Sequence, residues 1–253
     1  MISPPADVWS ADLTRLGEPL LAHDRRHGVV PAGERARLAR GRDQACTLER
    51  VAAHVLLRLA LAEHLRRGAS TPAARAALAA PLSIGSAGKP ELPGSGLSFS
   101  LAHVDGWALV AVSAGARIGV DLERERTLRL SARRAIAIAA AGAALTAGGE
   151  DAGADPPGCE VLGAWVRLEA AAKCEGGGIA ALFRALGLAG AGFDDLAAIR
   201  VRARDLGRTL AVHDIRFNDG APGTQLFAAV AGPRGMPPPR VRAVGTDLGP
   251  LLD

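Results

Sequence analysis

The 253-residue chain reads as an α+β protein built from two similar lobes, residues 1–115 and 116–253. Three observations predict this. An apolar-striped helix over 45–67 is followed by closely spaced strands at 97–102, 107–113 and 117–123. A second helix runs from Glu160 to about Cys174 and is followed by strands at 209–217 and 225–231. Each half therefore offers one long helix and a small antiparallel sheet, elements that bury one face of each against the other. The halves share element order rather than residue identity.

Hydrophobic residues make up 49% of the chain, enough for a core in each lobe, but only 3% are aromatic and none is Tyr. Ala, Leu and Val must fill that core. The net charge of +4 favours an acidic partner or a phosphorylated ligand. Nucleic-acid binding is a poor fit, because stacking aromatics are scarce and do not alternate with basic residues. Cys46, Cys159 and Cys174 are widely separated with no Cys-x-x-Cys pair, as expected of free thiols in a reducing compartment. The amino terminus lacks a basic stretch followed by an apolar run. No apolar run reaches the roughly 18–20 residues that span a bilayer. A cytoplasmic protein without a membrane partner is expected.

Residues 6–14 form a candidate first strand. Residues 31–42 hold Arg35, Arg37, Arg40 and Arg42 in a short helix after Pro31, either as a solvated face or as a phosphate-binding surface. In the 45–67 helix Leu48, Val51, Ala52, Val55, Leu56, Leu59, Ala62 and Leu65 recur at helical spacing. Arg50, Arg58, Glu63 and Arg66 mark its wet side, and Gly68 is a natural stop. His54 and His64, ten residues apart, cannot share a ligand and read as packing or surface residues. His23 and His27 lack an apolar stripe and are not read as a zinc pair. Residues 81–96, rich in Gly, Ser and Pro, read as a loop. Within it Pro90 extends Lys89 and Gly88 permits close approach, so the ammonium can be aimed at one place.

The segments 103–106 and 114–116 have hairpin lengths and turn residues, which predicts an antiparallel meander. It would carry His103 to one strand end and the 117–123 strand two strands away. Residues 131–145 read as an Ala-rich helix, 146–158 as a polar excursion, and Asp205-Leu206-Gly207 as a turn. The last twenty residues read as a surface wrap.

The chemistry lies on the strand Arg117-Ile118-Gly119-Val120-Asp121-Leu122-Glu123. Alternation puts Asp121 and Glu123 on one face, about 6–7 Å apart. Carboxylates that close repel unless a cation or a raised pKa relieves them, and a hard ion such as Mg²⁺ takes oxygen ligands. Gly119 leaves room for a ligand or another backbone to come near. On the second helix Trp165, Glu169 and Lys173 fall at i, i+4 and i+8, on one face. Brought into one cleft, Asp121, Glu123 and Glu169 would make a partial shell for Mg²⁺. Lys89, His103, Lys173 and arginines of 35–42 would supply donors to phosphate. That set suits a magnesium-bound pyrophosphate better than a magnesium-dependent nuclease or phosphatase.

Gly88-Lys89-Pro90, Phe99-Ser100-Leu101-Ala102-His103, Gly119-Val120-Asp121-Leu122-Glu123 and the run from Trp165 to Lys173 occur in that order. Together they resemble the 4′-phosphopantetheinyl transferases, in the large pseudo-dimeric type that activates peptide and polyketide synthetases. The resemblance spans roughly 35 to 235. It implies a cytoplasmic monomer of two α+β lobes related by pseudo-two-fold symmetry. Such an enzyme moves the phosphopantetheine arm of coenzyme A to a serine of an acyl or peptidyl carrier protein, releasing adenosine 3′,5′-bisphosphate.

By position, the resemblance implies magnesium ligands at Asp121, Glu123 and Glu169. It places Lys89 and His103 on coenzyme A phosphates, Lys173 by the pyrophosphate bridge, and Arg35 and Arg37 at the 3′-phosphate. Asp121, Glu169 and Lys173 would be catalytic, with Glu169 the candidate base. The carrier's acidic helix suits the net positive charge. Two positions depart from the family's pattern: Ala102 stands for a Ser, and Leu168 for a Lys, with Arg167 as a nearby cation. A homologue that binds coenzyme A and carrier protein with weakened catalysis is therefore the alternative.

Overall fold

A computed structural model describes residues 5–67, 81–85, 88–146, 160–190, 195–217 and 225–245. The expected helix stop at Gly68, the expected 146–158 excursion after Thr146, Cys159, the 218–223 connection and the final residues from 246 lie outside them. The fold is mixed α+β, with seven helices and three small sheets among the described residues. The chain divides into two compact units, Ala6–Gly115 with the segment from Arg240, and Ala116–Pro239.

The first unit opens with β1 (Asp7–Asp12) and α1 (Leu13–His27). The Asp12 carboxylate caps α1 by accepting from Thr14 N at 2.9 Å, and Gly28, at φ 62°, closes it. Sequence reading missed α1 because Gly17 and Pro19 interrupt it. Leu13, Leu16, Leu20 and Leu21 nevertheless form a buried stripe, and tertiary packing overrides the local cost. The helix α2 (Ala32–Ala39) follows Pro31, and α3 spans Gln44–Arg67.

The four-stranded sheet has the order β4 (Leu97–Val104), β5 (Trp107–Ala114), β1 and β9 (Arg240–Ala243). Only the β1–β9 pair is parallel. Phe99, Val110, Val112 and Trp9 meet Leu56, Leu57 and Leu61 of α3 in one core.

Several expectations are corrected here. The 81–96 segment contains a short antiparallel pair, β2 (Ser83–Ile84) and β3 (Pro90–Glu91), too brief to show a period. Arg58 and Glu63, placed on the wet side of α3, are 4% and 6% exposed. Their charges are matched from outside the apolar pattern, by Glu34 and Arg66 respectively. The region assigned to the second lobe does not run to 253, because β9 returns to pair with β1 and its backbone joins at Arg240 N to Ala6 O, 2.9 Å.

The second unit holds β6 (Gly119–Arg124), β7 (Leu210–Ile215) and β8 (Leu226–Pro233), in the antiparallel order β6-β8-β7. The expected meander holds for its first hairpin, β4–β5, and fails at its second: β6 pairs with β8, while the second neighbour of β5 is β1. A three-residue segment compatible with a hairpin cannot reveal that both strands have remote partners. The helices are α4 (Ala132–Thr146), α5 (Glu160–Glu175), α6 (Gly178–Leu186) and α7 (Leu196–Gly207). The expected turn at 205–207 is the end of α7.

With few aromatics, this core closes through small residues. A Cβ on Gly142 of α4 would lie 2.4 Å from Ala164 Cβ on α5. No helix among the described residues is long and apolar enough to cross a membrane.

Candidate functional site

Pleating puts Gly119, Asp121 and Glu123 on one face of β6, and α5 packs across that face. A Cβ on Gly119 would stand 2.1 Å from Ala170 O, 2.4 Å from Cys174 N and 2.9 Å from the Lys173 carbonyl carbon. Strand and helix backbones therefore touch where only hydrogen fits. Two residues along the strand, Asp121 Oδ1 accepts a hydrogen bond from Lys173 Nζ at 2.7 Å. Glu169 precedes Lys173 by one helical turn. Trp165, one turn further back, rests edge-on against Phe183 of α6, with ring centroids 5.6 Å apart.

Burial raises the pKa of Asp121; Lys173 opposes that, while the Glu123 charge adds to it. Asp121 Oδ2 is buried and has no hydrogen-bond partner among the described residues. Burial also raises the pKa of Glu169, with repulsion from Asp121 and Glu123 adding and Lys173 opposing. The helix and strand thus hold two carboxyls where negative charge is disfavoured and a cation is welcome.

Glu123 shares the strand face, but its carboxylate is taken by Arg126 in two hydrogen bonds of 3.0 and 2.9 Å. Among the described residues no group of three or more His, Cys, Asp or Glu side chains is placed to hold a metal ion. The three-carboxylate shell expected from sequence is not assembled. Asp121 and Glu169 do fit a hard cation of the Mg²⁺ kind, which commonly takes one or two carboxylates and completes its octahedron with water and substrate phosphate.

The remaining expected residues belong to the first unit. Lys89, half-buried, follows Gly88 (φ 82°) in the β2–β3 turn, where its carbonyl accepts Gly85 N at 2.8 Å. His103 ends the core-facing row of β4, with Nδ1 3.7 Å from Glu49 Oε1. Burial lowers its pKa; Glu49 opposes the shift while Arg50 and His54 reinforce it. Arg35 is paired with the buried carboxylate of Asp24. Arg37, two residues further along α2, has its Nη2 buried without a hydrogen-bond partner among the described residues.

Two clusters escaped sequence reading. Glu34 accepts from His54 Nδ1 at 2.7 Å and Arg58 Nη2 at 2.6 Å. Burial opposes its ionisation, but those hydrogen bonds and charges prevail and hold its pKa down to about 2. Asp7 meets His64 Nδ1 at 2.9 Å and Arg242 at 3.2 Å, tying β1 to α3 and β9. Both link residues far apart in sequence, which spacing cannot reveal. His54 and His64 are thereby structural, and the rings of His23 and His27 lie 4.4 Å apart, tilted by 36°.

Of the departures, Leu168 is fully buried within the core and Ala102 is buried on β4. Arg167, read as a nearby cation, is held by Asp214 through two bonds of 2.8 and 2.6 Å. No protein-family model matches the chain, and no curated protein matches it.

Proposed function

We propose that the chain is a 4′-phosphopantetheinyl transferase of the two-lobed, pseudo-dimeric kind. It would move the arm of coenzyme A to a serine of an acyl or peptidyl carrier protein and release adenosine 3′,5′-bisphosphate. The observation that carries this reading is the Asp121–Lys173 contact at the Gly119 crossing, with Glu169 one turn away on the same helix. Paired acids and one ammonium are the groups a diphosphate requires, and they occur inside the ordered run of four motifs.

In the reaction the serine Oγ bonds to the β-phosphorus and the bridging P–O bond breaks, its electron pair leaving with the bisphosphate. Glu169 takes the hydroxyl proton. Lys173 places its ammonium where the leaving oxygen gains charge. Asp121 positions that ammonium through the 2.7 Å bond. Mg²⁺, held by Asp121 and Glu169, would draw charge from the phosphate oxygens. Lys89 and His103 are assigned to the phosphates of coenzyme A. Arg37, whose buried Nη2 has no partner among the described residues, suits the 3′-phosphate better than Arg35, which Asp24 already engages.

Leu168 and Ala102, both buried, also suit a homologue that binds coenzyme A and carrier protein with weak turnover. One experiment separates the two. The chain is incubated with coenzyme A, Mg²⁺ and a panel of apo carrier domains, and each carrier is weighed intact. A mass gain of one phosphopantetheine arm is expected. Coenzyme A binding without any gain would establish the binding homologue, and neither binding nor gain would overturn both readings.

A further inference from the structure

Arg126 lies two residues past the end of β6 and grips Glu123 as a fork, Nε on Oε2 and Nη2 on Oε1. Both carboxylate oxygens are therefore engaged. Strand alternation still puts Glu123 on the Asp121 face, and its charge bears on both Asp121 and Glu169. The Arg126 side chain is 51% exposed and that of Glu123 19%, so the pair sits at the solvent edge of the site. An exposed ion pair is weak enough for a divalent cation to displace.

We propose that Arg126 is a positioning residue, a latch that withholds Glu123 from Asp121 and Glu169 until a divalent cation competes for it. The proposal rests on reading Asp121 and Glu169 as the ion-binding pair. The latch relieves repulsion among three nearby acids when no cation is present. It also sets the ion concentration at which the third acid joins.

The inference separates geometry from charge. Lys at 126 keeps the positive charge but loses the planar fork that matches a carboxylate. Mg²⁺ binding to the full chain is measured by calorimetry, with Mn²⁺ binding by electron paramagnetic resonance as the second probe. The variants are Arg126→Gln, Arg126→Lys, Glu123→Gln and the Glu123→Gln/Arg126→Gln double, each checked for folding by thermal melting. Both Arg126 variants should bind the ion about two- to five-fold more tightly than the parent, the range a surface ion pair supplies. In the Glu123→Gln background Arg126→Gln should change nothing.

If Arg126→Lys behaves as the parent while Arg126→Gln tightens, the effect is charge alone and the latch is overturned. Persistence of the Arg126→Gln effect without Glu123 overturns it too, as does equal affinity throughout. In each of these cases the ion-binding pair still stands. If no variant and not the parent binds either ion, the latch and the ion-binding pair both fall.

Discussion

Gly119→Ala tests the construction of the site at its narrowest point. The added methyl would lie 2.1, 2.4 and 2.9 Å from three backbone atoms of α5, all inside van der Waals contact. None can rotate away as a side-chain tip could. The helix must lift from β6, yet on its other side it is closed against α4 at Gly142 and Ala164. Overpacking of this kind costs about 1–3 kcal/mol, more where backbone must move. In a unit of this size each kcal/mol lowers Tm by about 2–8 °C.

Gly163→Ala is the control, on the same helix. Its nearest neighbour would be Phe227 Cδ1 at an ordinary 3.6 Å, so it should gain about 0.5–1 kcal/mol from helix entropy. Calorimetric melts of both variants give the signs. Transfer activity should fall further in Gly119→Ala than its stability loss explains, because Lys173 moves with the helix. A Gly119→Ala protein as stable as the parent would refute the close crossing from which the site geometry is derived.

Other perturbations probe separate parts. Asp121→Ala should abolish transfer while leaving the circular dichroism spectrum and a cooperative melt intact; transfer by the folded variant would remove Asp121 from the mechanism. Glu169→Gln should remove transfer, because the amide cannot take the serine proton; transfer by the folded variant would remove Glu169 as the base. In the metal-free chain the protonated forms of Glu169 and Asp121 are favoured in the fold, so their contribution to stability falls as pH rises through the raised values. Glu34 behaves oppositely, its pKa lowered from 4.5 to about 2. It should stabilise fully above its unfolded value and lose about 3 kcal/mol as pH falls from there through 2. Urea titrations over that range should show the loss in the parent and a flat response in Glu34→Gln.

What sequence made legible was local. Alternation placed Gly119, Asp121 and Glu123 on one face, and i+4 spacing aligned Glu169 with Lys173. The room that Gly119 leaves is filled by the α5 backbone. The Glu123–Arg126 pair was within reach, three residues apart, but its strand face invited a metal-ligand reading instead. Strand partnership was not legible. Turn chemistry at 114–116 fits a hairpin, while β5–β1 and β6–β8 pairing is decided by residues about a hundred positions away. The four residues of β9 show no period, and their place is fixed by β1 and by Arg242 on Asp7. Arg58 inside α3 looked solvent-facing because its partner, Glu34, lies on α2.

The claim beneath all of this is that acids of β6 and α5 grip a diphosphate through a divalent ion. Calorimetric titration of coenzyme A with and without Mg²⁺ tests it most directly, in the parent chain and in Asp121→Ala. The account predicts that Mg²⁺ tightens coenzyme A binding in the parent and has no such effect once Asp121 is gone. Equal coenzyme A affinity in the parent with and without Mg²⁺ would contradict it.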